Sequence, residues 1–227
     1  MNYVTQAEVI EVIEHSKDIR EYVLRPEKER KYNPGSFVQL TLDLVTASDI
    51  WPDSRTFSIA SYEKGLMRFI IKNVGSYTLR IFNELNLGKR CTIKYPFGDL
   101  FNPKIENERH LFIAGGVGIT PYFSLIKYYE LKGLLKNIYL FYSVRFFDDL
   151  LHYKSLKNTL CKNMEVFITR EKIDNCYNSK ISIADIHRVA ADKETNIYIC
   201  GSKTFNSDYK ELLMKNEYKK IYMDEWE

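Results

Sequence analysis

In the N-terminal part of the chain, hydrophobic and polar residues alternate over short stretches that are separated by turn-forming residues. A two-residue period is typical of β-strands that bury one face. The strands predicted from this pattern span 7–13, 19–24, 36–42, 56–60, 67–71 and 90–95. One helix is predicted at 77–85, where apolar residues recur three and four positions apart. The pattern therefore predicts a six-stranded antiparallel Greek-key barrel over residues 1–101.

The pattern changes after the polar, proline-containing segment 102–108, which is predicted to be a linker. From 109 to 227, apolar strands alternate with helical stretches. The predicted strands span 111–114, 138–143, 164–169, 196–200 and 220–223, and the predicted helices 120–131, 148–159, 182–190 and 203–216. This alternation predicts a parallel sheet with helices on both faces and ligands at the carboxyl ends of the strands. The expected fold class is β followed by α/β.

The segment Leu111–Ile126 contains no charged residue but has three glycines and a proline. We interpret it as a buried strand, a turn and a helix that Thr120 caps, with a proline in the first helical turn. Glycines at 115, 116 and 118 allow another molecule to approach the backbone closely. Free N–H groups and the helix dipole favour a pyrophosphate at this turn. A tight structural turn without a ligand is the alternative.

Two further stretches of the barrel carry candidate chemistry. On the strand that begins at Arg55, side-chain alternation places Arg55 and Phe57 on one face and Thr56 and Ser58 on the other. An arginine can bind a phosphate bidentately, and an aromatic ring can pack against a planar heterocycle. Gly75-Ser-Tyr-Thr78 begins the predicted helix and forms a second candidate anion site. The alternatives are an ordinary amphipathic strand and simple helix capping.

Composition and charge argue against several classes of function. The net charge of +3 is too small to indicate nucleic-acid binding, and the N-terminal segment shows no export signal. The uncharged segment Leu111–Ile126 is shorter than the roughly 20 residues that a membrane span needs. The four cysteines form no Cys-x-x-Cys pair and the four histidines are scattered, so no metal site of the usual spacing is expected. These features predict a cytoplasmic protein with reduced thiols; they leave the oligomeric state open.

Five motifs in this order resemble those of the ferredoxin-NADP reductase family, over a stretch from about residue 5 to residue 226. They are Arg55-Thr-Phe-Ser58, Gly75-Ser-Tyr-Thr78, Pro96-Phe-Gly98, Gly115-Gly-Val-Gly-Ile-Thr-Pro121 and Cys200-Gly201. The resemblance implies a flavin reductase-like oxidoreductase without an iron–sulfur domain. It implies FAD in the barrel, NAD(P)H in the α/β domain, and hydride transfer between the two cofactors across a cleft.

The resemblance also implies roles for individual residues. Arg55 would bind the flavin pyrophosphate, Phe57 would pack on the isoalloxazine, and Ser58 would hydrogen-bond near the reactive flavin nitrogen. Cys200 would lie beside the nicotinamide, although a buried core cysteine is the alternative. The full FAD set is Arg55, Thr56, Phe57, Ser58, Gly75, Ser76, Tyr77 and Thr78. The nicotinamide cofactor set is Gly116, Thr120, Ser143, Arg145, Cys200 and Gly201.

The C-terminal residues complete the implied site. Asp224 would hydrogen-bond with Ser58 and hold a proton near the flavin, which makes Ser58, Cys200 and Asp224 the implied catalytic residues. Trp226 would shield the ring face that the nicotinamide must reach. The family more often has a glutamate where Asp224 stands, and a frayed terminus is the alternative.

The identity of both redox partners stays open at this point. Ser143 and Arg145, with Thr169 and Arg170, favour NADPH, but relatives that use NADH also carry an arginine here. The expected electron acceptor is an acidic carrier protein such as a ferredoxin, a flavodoxin or an oxygenase component. The alternatives are a reductase of free flavin and a flavin-bearing electron-transfer subunit of a larger complex.

Overall fold

The computed structural model describes residues 3–61, 63–102 and 105–223. The chain divides into two compact units. The first, called the barrel unit below, comprises Met1–Phe101 and Thr120–Lys127. The second, called the sheet unit, comprises Asn102–Ile119 and Tyr128–Glu227.

The described part of the barrel unit contains one six-stranded antiparallel sheet with the order β4-β3-β6-β1-β2-β5. The strands are β1 (Tyr3–Ser16), β2 (Ile19–Pro26), β3 (Phe37–Thr41), β4 (Arg55–Ser58), β5 (Met67–Lys72) and β6 (Arg90–Phe97). The Ala60 N–H, just after β4, donates to the Arg68 carbonyl in β5 at 2.8 Å, so the sheet nearly closes on itself. The predicted barrel is confirmed.

Alternation along the strands builds the barrel core. Tyr22, Leu24, Phe69 and Ile93 are fully buried, and Tyr77 of helix α1 (Ser76–Glu84) joins the same cluster. The first strand is longer than predicted at both ends, because residues 3–6 pair with β6 and residues 14–16 pair with β2, where most side chains are half-buried or exposed. A strand with weak burial shows little hydrophobic alternation in its sequence.

The described part of the sheet unit contains a five-stranded parallel sheet with the order β11-β10-β7-β8-β9. Its strands are β7 (His110–Gly115), β8 (Ile138–Val144), β9 (Met164–Ile168), β10 (Asn196–Cys200) and β11 (Ile221–Met223). The helices that follow its strands are α2 (Thr120–Leu131), α3 (Tyr153–Leu160), α4 (Ile183–Val189) and α5 (Lys203–Lys215); Thr120–Lys127 of α2 is counted with the barrel unit. The predicted parallel α/β arrangement is confirmed.

Both faces of the parallel sheet are covered. On one face, Ile113 and Ile199 pack with Ile186 of α4 and Leu213 of α5 in a buried cluster. On the other face, the His110 ring lies 5.4 Å from the ring of Tyr129 in α2. No described helix is long and apolar enough to cross a membrane.

The helix predicted at 148–159 is wrong over its first five residues, because α3 begins only at Tyr153. Phe147–Asp149 forms a 3-10 turn, and His152 adopts a left-handed backbone with φ of 51°. The Leu151 N–H donates to the buried Tyr142 hydroxyl at 3.2 Å. This tertiary hydrogen bond holds an apolar pair of leucines in a loop that the sequence pattern had assigned to a helix.

Candidate functional site

In the barrel unit, β4 presents Arg55 at the surface. Its side chain is 48% exposed, and Nη1 donates to Asp53 Oδ1 at 2.5 Å and to the Ser54 carbonyl at 2.7 Å. The guanidinium carbon lies 4.6 Å from the centre of the Tyr77 ring. An exposed ion pair of this kind contributes little stability, so an incoming phosphate can replace the carboxylate at small cost.

Tyr77 gives the arginine a fixed support. Its hydroxyl oxygen lies 3.1 Å from the carbonyl oxygens of both Leu40 and Asp53, which share its single proton, and the residue is 5% exposed. Burial raises the pKa of Tyr77, so it stays a neutral donor. The sequence motif included Tyr77 but gave no indication that its ring would lie under Arg55. Asp53, the other contact of Arg55, was missed altogether.

The start of α1 is open to an approaching anion. Gly75 has an extended backbone, with φ of −175°, and a Cβ added there would meet nothing within 4 Å. Gly75 and Ser76 are both exposed. Thr78 is different, because its Oγ1 accepts from the N–H groups of Val74 at 2.9 Å and Gly75 at 3.1 Å. The capping alternative thus describes Thr78, whereas a contact of Gly75 and Ser76 with phosphate stays a prediction.

The other end of β4 lies near an aromatic pair. Ser58 is the register partner of Phe37, whose ring stacks on Phe97 at 5.5 Å. Gly98 has φ of +88°, and an added Cβ would approach the Phe37 ring to 2.8 Å. Phe57 packs in part against the barrel core. The register and packing thus bring the Arg55–Ser58 and Pro96–Gly98 motifs together around Phe37.

A cavity of about 430 Å³ opens beside this aromatic pair. Its lining combines aromatic surface with charged and amide groups, from Lys31, Tyr32, Asn33, Ser36, Pro96, Phe97, Gly98 and Asp99. A mixed apolar and polar lining of this kind suits a planar ligand that carries polar edges.

In the sheet unit, the glycine-rich turn does not have the cap that the sequence predicted. Gly116–Ile119 forms a 3-10 turn that runs directly into α2. The N-cap position is Ile119, which has helical backbone angles, and no side-chain cap bond forms there. Thr120 lies buried inside the first turn, so its prediction as the cap is wrong. The helical run, whose first N–H groups have no partner within the run, therefore begins at Gly116 and not at Thr120.

Two glycines of this turn have distinct environments. Gly116 has φ of +55°, and a Cβ added there would meet nothing within 4 Å, so its backbone is open to a ligand. Gly118 is closely packed: an added Cβ would lie 2.1 Å from the Cys200 carbonyl oxygen and 2.7 Å from the Gly201 nitrogen. Only glycine therefore fits at position 118. Its contact joins the glycine-rich turn to the Cys-Gly motif.

The register of the parallel sheet assembles the remaining predicted residues. Cys200 pairs with Ala114, and Ser143 pairs with Gly115. Both Cys200 and Ser143 are buried, with 4% and 8% of their surface exposed. The glycine turn, Ser143 and Cys200 thus lie along one edge of the sheet, at the carboxyl ends of three neighbouring strands, which is where ligands of such sheets bind.

Two arginines lie together past the ends of β8 and β9. The Arg170 N–H donates to the Arg145 carbonyl at 3.0 Å, and both side chains are exposed. The Thr169 hydroxyl donates to the Val144 carbonyl at 3.3 Å. The structure therefore supports Arg145 and Arg170 as a pair of cations in one loop region. The predicted Asp224 and Trp226 lie outside the described residues.

The sequence of this chain is similar to those of several known proteins. Residues 112–211 match the family model described as the oxidoreductase NAD-binding domain. The chain is 24% identical over 224 residues to the glycine betaine monooxygenase reductase subunit of Pseudomonas aeruginosa, covering 92% of this chain and 60% of the relative. It is 29% identical over 191 residues to a probable dihydroorotate dehydrogenase B (NAD(+)) electron transfer subunit of Pyrococcus furiosus, covering 84% and 67%.

A solved structure has the same fold across the whole chain. It is a ferredoxin NADP+ reductase from Neisseria gonorrhoeae with bound FAD and NADP, with a TM-score of 0.79 and 16% identity, covering 97% of this chain and 98% of that one. The predicted resemblance to ferredoxin-NADP reductases and the predicted fold class are confirmed. The FAD and NADP bound in that neighbour are the cofactor pair predicted for this chain. The chain spans 23%, 44% and 60% of the length of three curated relatives.

The residues of this ferredoxin-NADP reductase-like chain fit both cofactors. For FAD, the barrel unit offers an exposed guanidinium at Arg55, an open helix start at Gly75 and a cavity with aromatic lining. For NAD(P)H, the sheet unit offers the open backbone of Gly116 beside the Gly118 contact with Cys200.

Proposed function

We propose that this chain is a flavin-dependent reductase that takes a hydride from NAD(P)H onto bound FAD and passes the electrons to a separate carrier protein. One observation supports it above all: Gly118 packs against the Cys200–Gly201 peptide, which unites two distant motifs at the ligand-binding edge of the parallel sheet. When bound, FAD supplies the redox chemistry, and the protein supplies binding, alignment and electrostatics.

The barrel residues bind and orient the flavin. Arg55 releases Asp53 and forms charge-assisted hydrogen bonds with the phosphates, while Tyr77 keeps the guanidinium in place from below. Gly75 and Ser76 add backbone and hydroxyl contacts at the start of α1. Ser58 donates a hydrogen bond near the reactive nitrogen of the ring.

The sheet residues bind and orient the nicotinamide cofactor. Gly116 presents its N–H to the pyrophosphate, because no side chain blocks its backbone. Cys200 offers a small, polarizable group that permits close approach of a planar ring, which hydride transfer requires. The roles that the resemblance implies for Asp224 and Trp226 stay part of the proposal.

We propose NADPH as the preferred nicotinamide cofactor. The backbone bond from Arg170 to Arg145 keeps two exposed guanidinium groups in one loop region, where they bind a 2′-phosphate. In this chain an arginine, and not a carboxylate, directly follows the last residue of β8. A carboxylate there would instead favour the ribose diol of NADH.

The electron acceptor is proposed to be an acidic carrier protein: a ferredoxin, a flavodoxin or an oxygenase component. Exposed lysines and arginines would steer such a partner. The relation to a monooxygenase reductase subunit supports the oxygenase component in particular. All four cysteines are free thiols, which supports a reducing, cytoplasmic setting.

Two other functions have specific support. A reductase of free flavin is favoured by the contact between Arg55 and Asp53, because a guanidinium that must first release a carboxylate binds flavin slightly more weakly. An electron-transfer subunit of a larger complex is favoured by the relation to the dihydroorotate dehydrogenase subunit.

The test is to purify the chain, measure its flavin content, and follow reduction of ferredoxin, flavodoxin and free FMN with NADPH or NADH as the donor. The proposed function predicts retained FAD and faster reduction of an acidic carrier than of FMN. A flavin-free protein that reduces FMN would establish the free-flavin reductase. A flavin-loaded protein that accepts no electrons from either donor would establish the electron-transfer subunit.

A further inference from the structure

We propose that Phe205 is a positioning residue for the nicotinamide cofactor: its ring sets the place of the Cys200–Gly201 peptide. This inference rests on the proposed function, because it concerns the same edge of the parallel sheet. Phe205 lies in the first turn of α5 and is only partly exposed. The sequence motifs do not include it.

The contact pattern around two glycines identifies Phe205. A Cβ added at Gly201 would lie 2.5 Å from Cδ1, 2.9 Å from Cγ and 3.2 Å from Cβ of Phe205. A Cβ added at Gly115 would lie 2.9 Å from Cδ2 and 3.0 Å from both Cε2 and Cγ of the same ring. At each glycine, the three nearest atoms therefore belong to Phe205. One ring fills the space beside the last residue of β7 and the first residue after β10.

The peptide between Cys200 and Gly201 is consequently fixed by contacts of two kinds. Gly118 leaves no room for a Cβ beside its carbonyl oxygen and nitrogen, and Phe205 fills the space that a side chain of residue 201 would take. Backbone contacts this close leave little room for movement, because protein interiors are tightly packed. The position of the Cys200 side chain follows from that of its peptide.

Phe205 is itself held firmly enough to act as a support. Its N–H donates to the Ser202 hydroxyl at 3.3 Å, which caps α5. Its ring lies 4.6 Å from the ring of Tyr209, one turn further along the helix. It also packs against the buried cluster between the sheet and the helices α4 and α5. The ring thus connects a rigid helix to the two strand-end glycines.

The first test compares three variants in the FAD-loaded chain. Phe205→Ala removes the ring, Phe205→Met refills most of the space, and Leu212→Ala removes a side chain of α5 that packs on the same cluster two turns further along. We expect Phe205→Ala to slow flavin reduction at saturating NADPH by roughly 10- to 100-fold, the cost of misplacing a reacting group by about 1 Å. Flavin content should be unchanged, Phe205→Met should restore most of the rate, and Leu212→Ala should lower only the melting temperature.

A second test needs no cofactor. Gly201→Ala introduces a methyl group whose nearest neighbours are Phe205 atoms, and Gly201 does not have a positive φ that would add strain. Gly201→Ala should therefore lower the melting temperature, and adding Phe205→Ala should recover part of that loss although each single change is destabilising. Such non-additivity is the signature of two residues in contact.

The inference is overturned if Phe205→Ala reduces flavin as fast as Leu212→Ala, or if the double variant is as unstable as the sum of the single variants. Failure of the proposed function would give a different set of results. In that case the parent chain accepts no electrons from NADPH, while the stability cycle between Gly201 and Phe205 still shows their contact.

Discussion

Gly118→Ala is the substitution whose effect the structure specifies most fully. The added methyl carbon would lie 2.1 Å from the Cys200 oxygen and 2.4 Å from its carbonyl carbon. Both are backbone atoms of β10, so no side-chain rotation relieves the clash. Ordinary contact begins at 3.4 Å, so the turn and the Cys200–Gly201 peptide must separate by about 1.3 Å.

Two effects follow from this separation. Forcing extra volume into a packed site costs about 1–3 kcal/mol, and we expect the upper end here because backbone must move. A shift of about 1 Å in a reacting group lowers a rate roughly 100-fold. Flavin reduction by NADPH should therefore slow by about that factor, while FAD content, which depends on the barrel residues, should not change.

The assay is stopped-flow reduction of the purified variant without oxygen, together with its thermal unfolding. Gly133→Ala is the matched control in the same unit, because its methyl group meets nothing within 4 Å and only its φ of +68° is unfavourable, at about 1 kcal/mol. If Gly118→Ala matched Gly133→Ala in both melting temperature and reduction rate, the packing of the two motifs would not be what positions Cys200.

Four further outcomes are expected. Arg55→Ala should lose flavin on purification. The control is Arg80→Ala, which should keep its flavin because the Arg80 guanidinium lies 5.9 Å from the Tyr77 ring, compared with 4.6 Å for Arg55. Equal flavin content in the two variants would exclude phosphate binding by Arg55. Cys200→Ser should slow reduction in stopped-flow and leave flavin content unchanged, and an unaltered rate would remove the sulfur from the mechanism. Arg145→Ala should raise the KM for NADPH more than that for NADH, and parallel changes would argue against a bound 2′-phosphate. Burial lowers the pKa of His110 from 6.5 to about 4, so the unfolded chain binds the proton more readily and stability should fall as the pH drops from 6.5 to 4; urea unfolding of His110→Gln should show a smaller fall.

Sequence periodicity predicted the strands and helices of both units well, because side chains are buried with the period of the strand or helix that carries them. The α2 helix begins and ends at the predicted residues, and β10 has the predicted bounds. Errors arose where a tertiary contact decided the outcome. The hydrogen bond from Leu151 to the Tyr142 hydroxyl replaced a predicted helical turn, and periodicity contains no information on such a partner.

The candidate site was also predictable in part. The parallel register makes it predictable that the glycine turn and Cys200 share an edge of the sheet, because carboxyl ends of parallel strands meet there. The support of Arg55 by Tyr77 and the packing of Phe205 on two glycines are not predictable from spacing. Each depends on how a helix packs against a strand, which local sequence does not specify.

The transfer of a hydride from a nicotinamide cofactor to FAD bound by this chain can be observed in the visible spectrum of the purified chain, recorded before and after NADPH is added in the absence of oxygen. We expect a bound-flavin band that bleaches on addition of NADPH. A flavin band that persists with both NADPH and NADH would contradict this expectation.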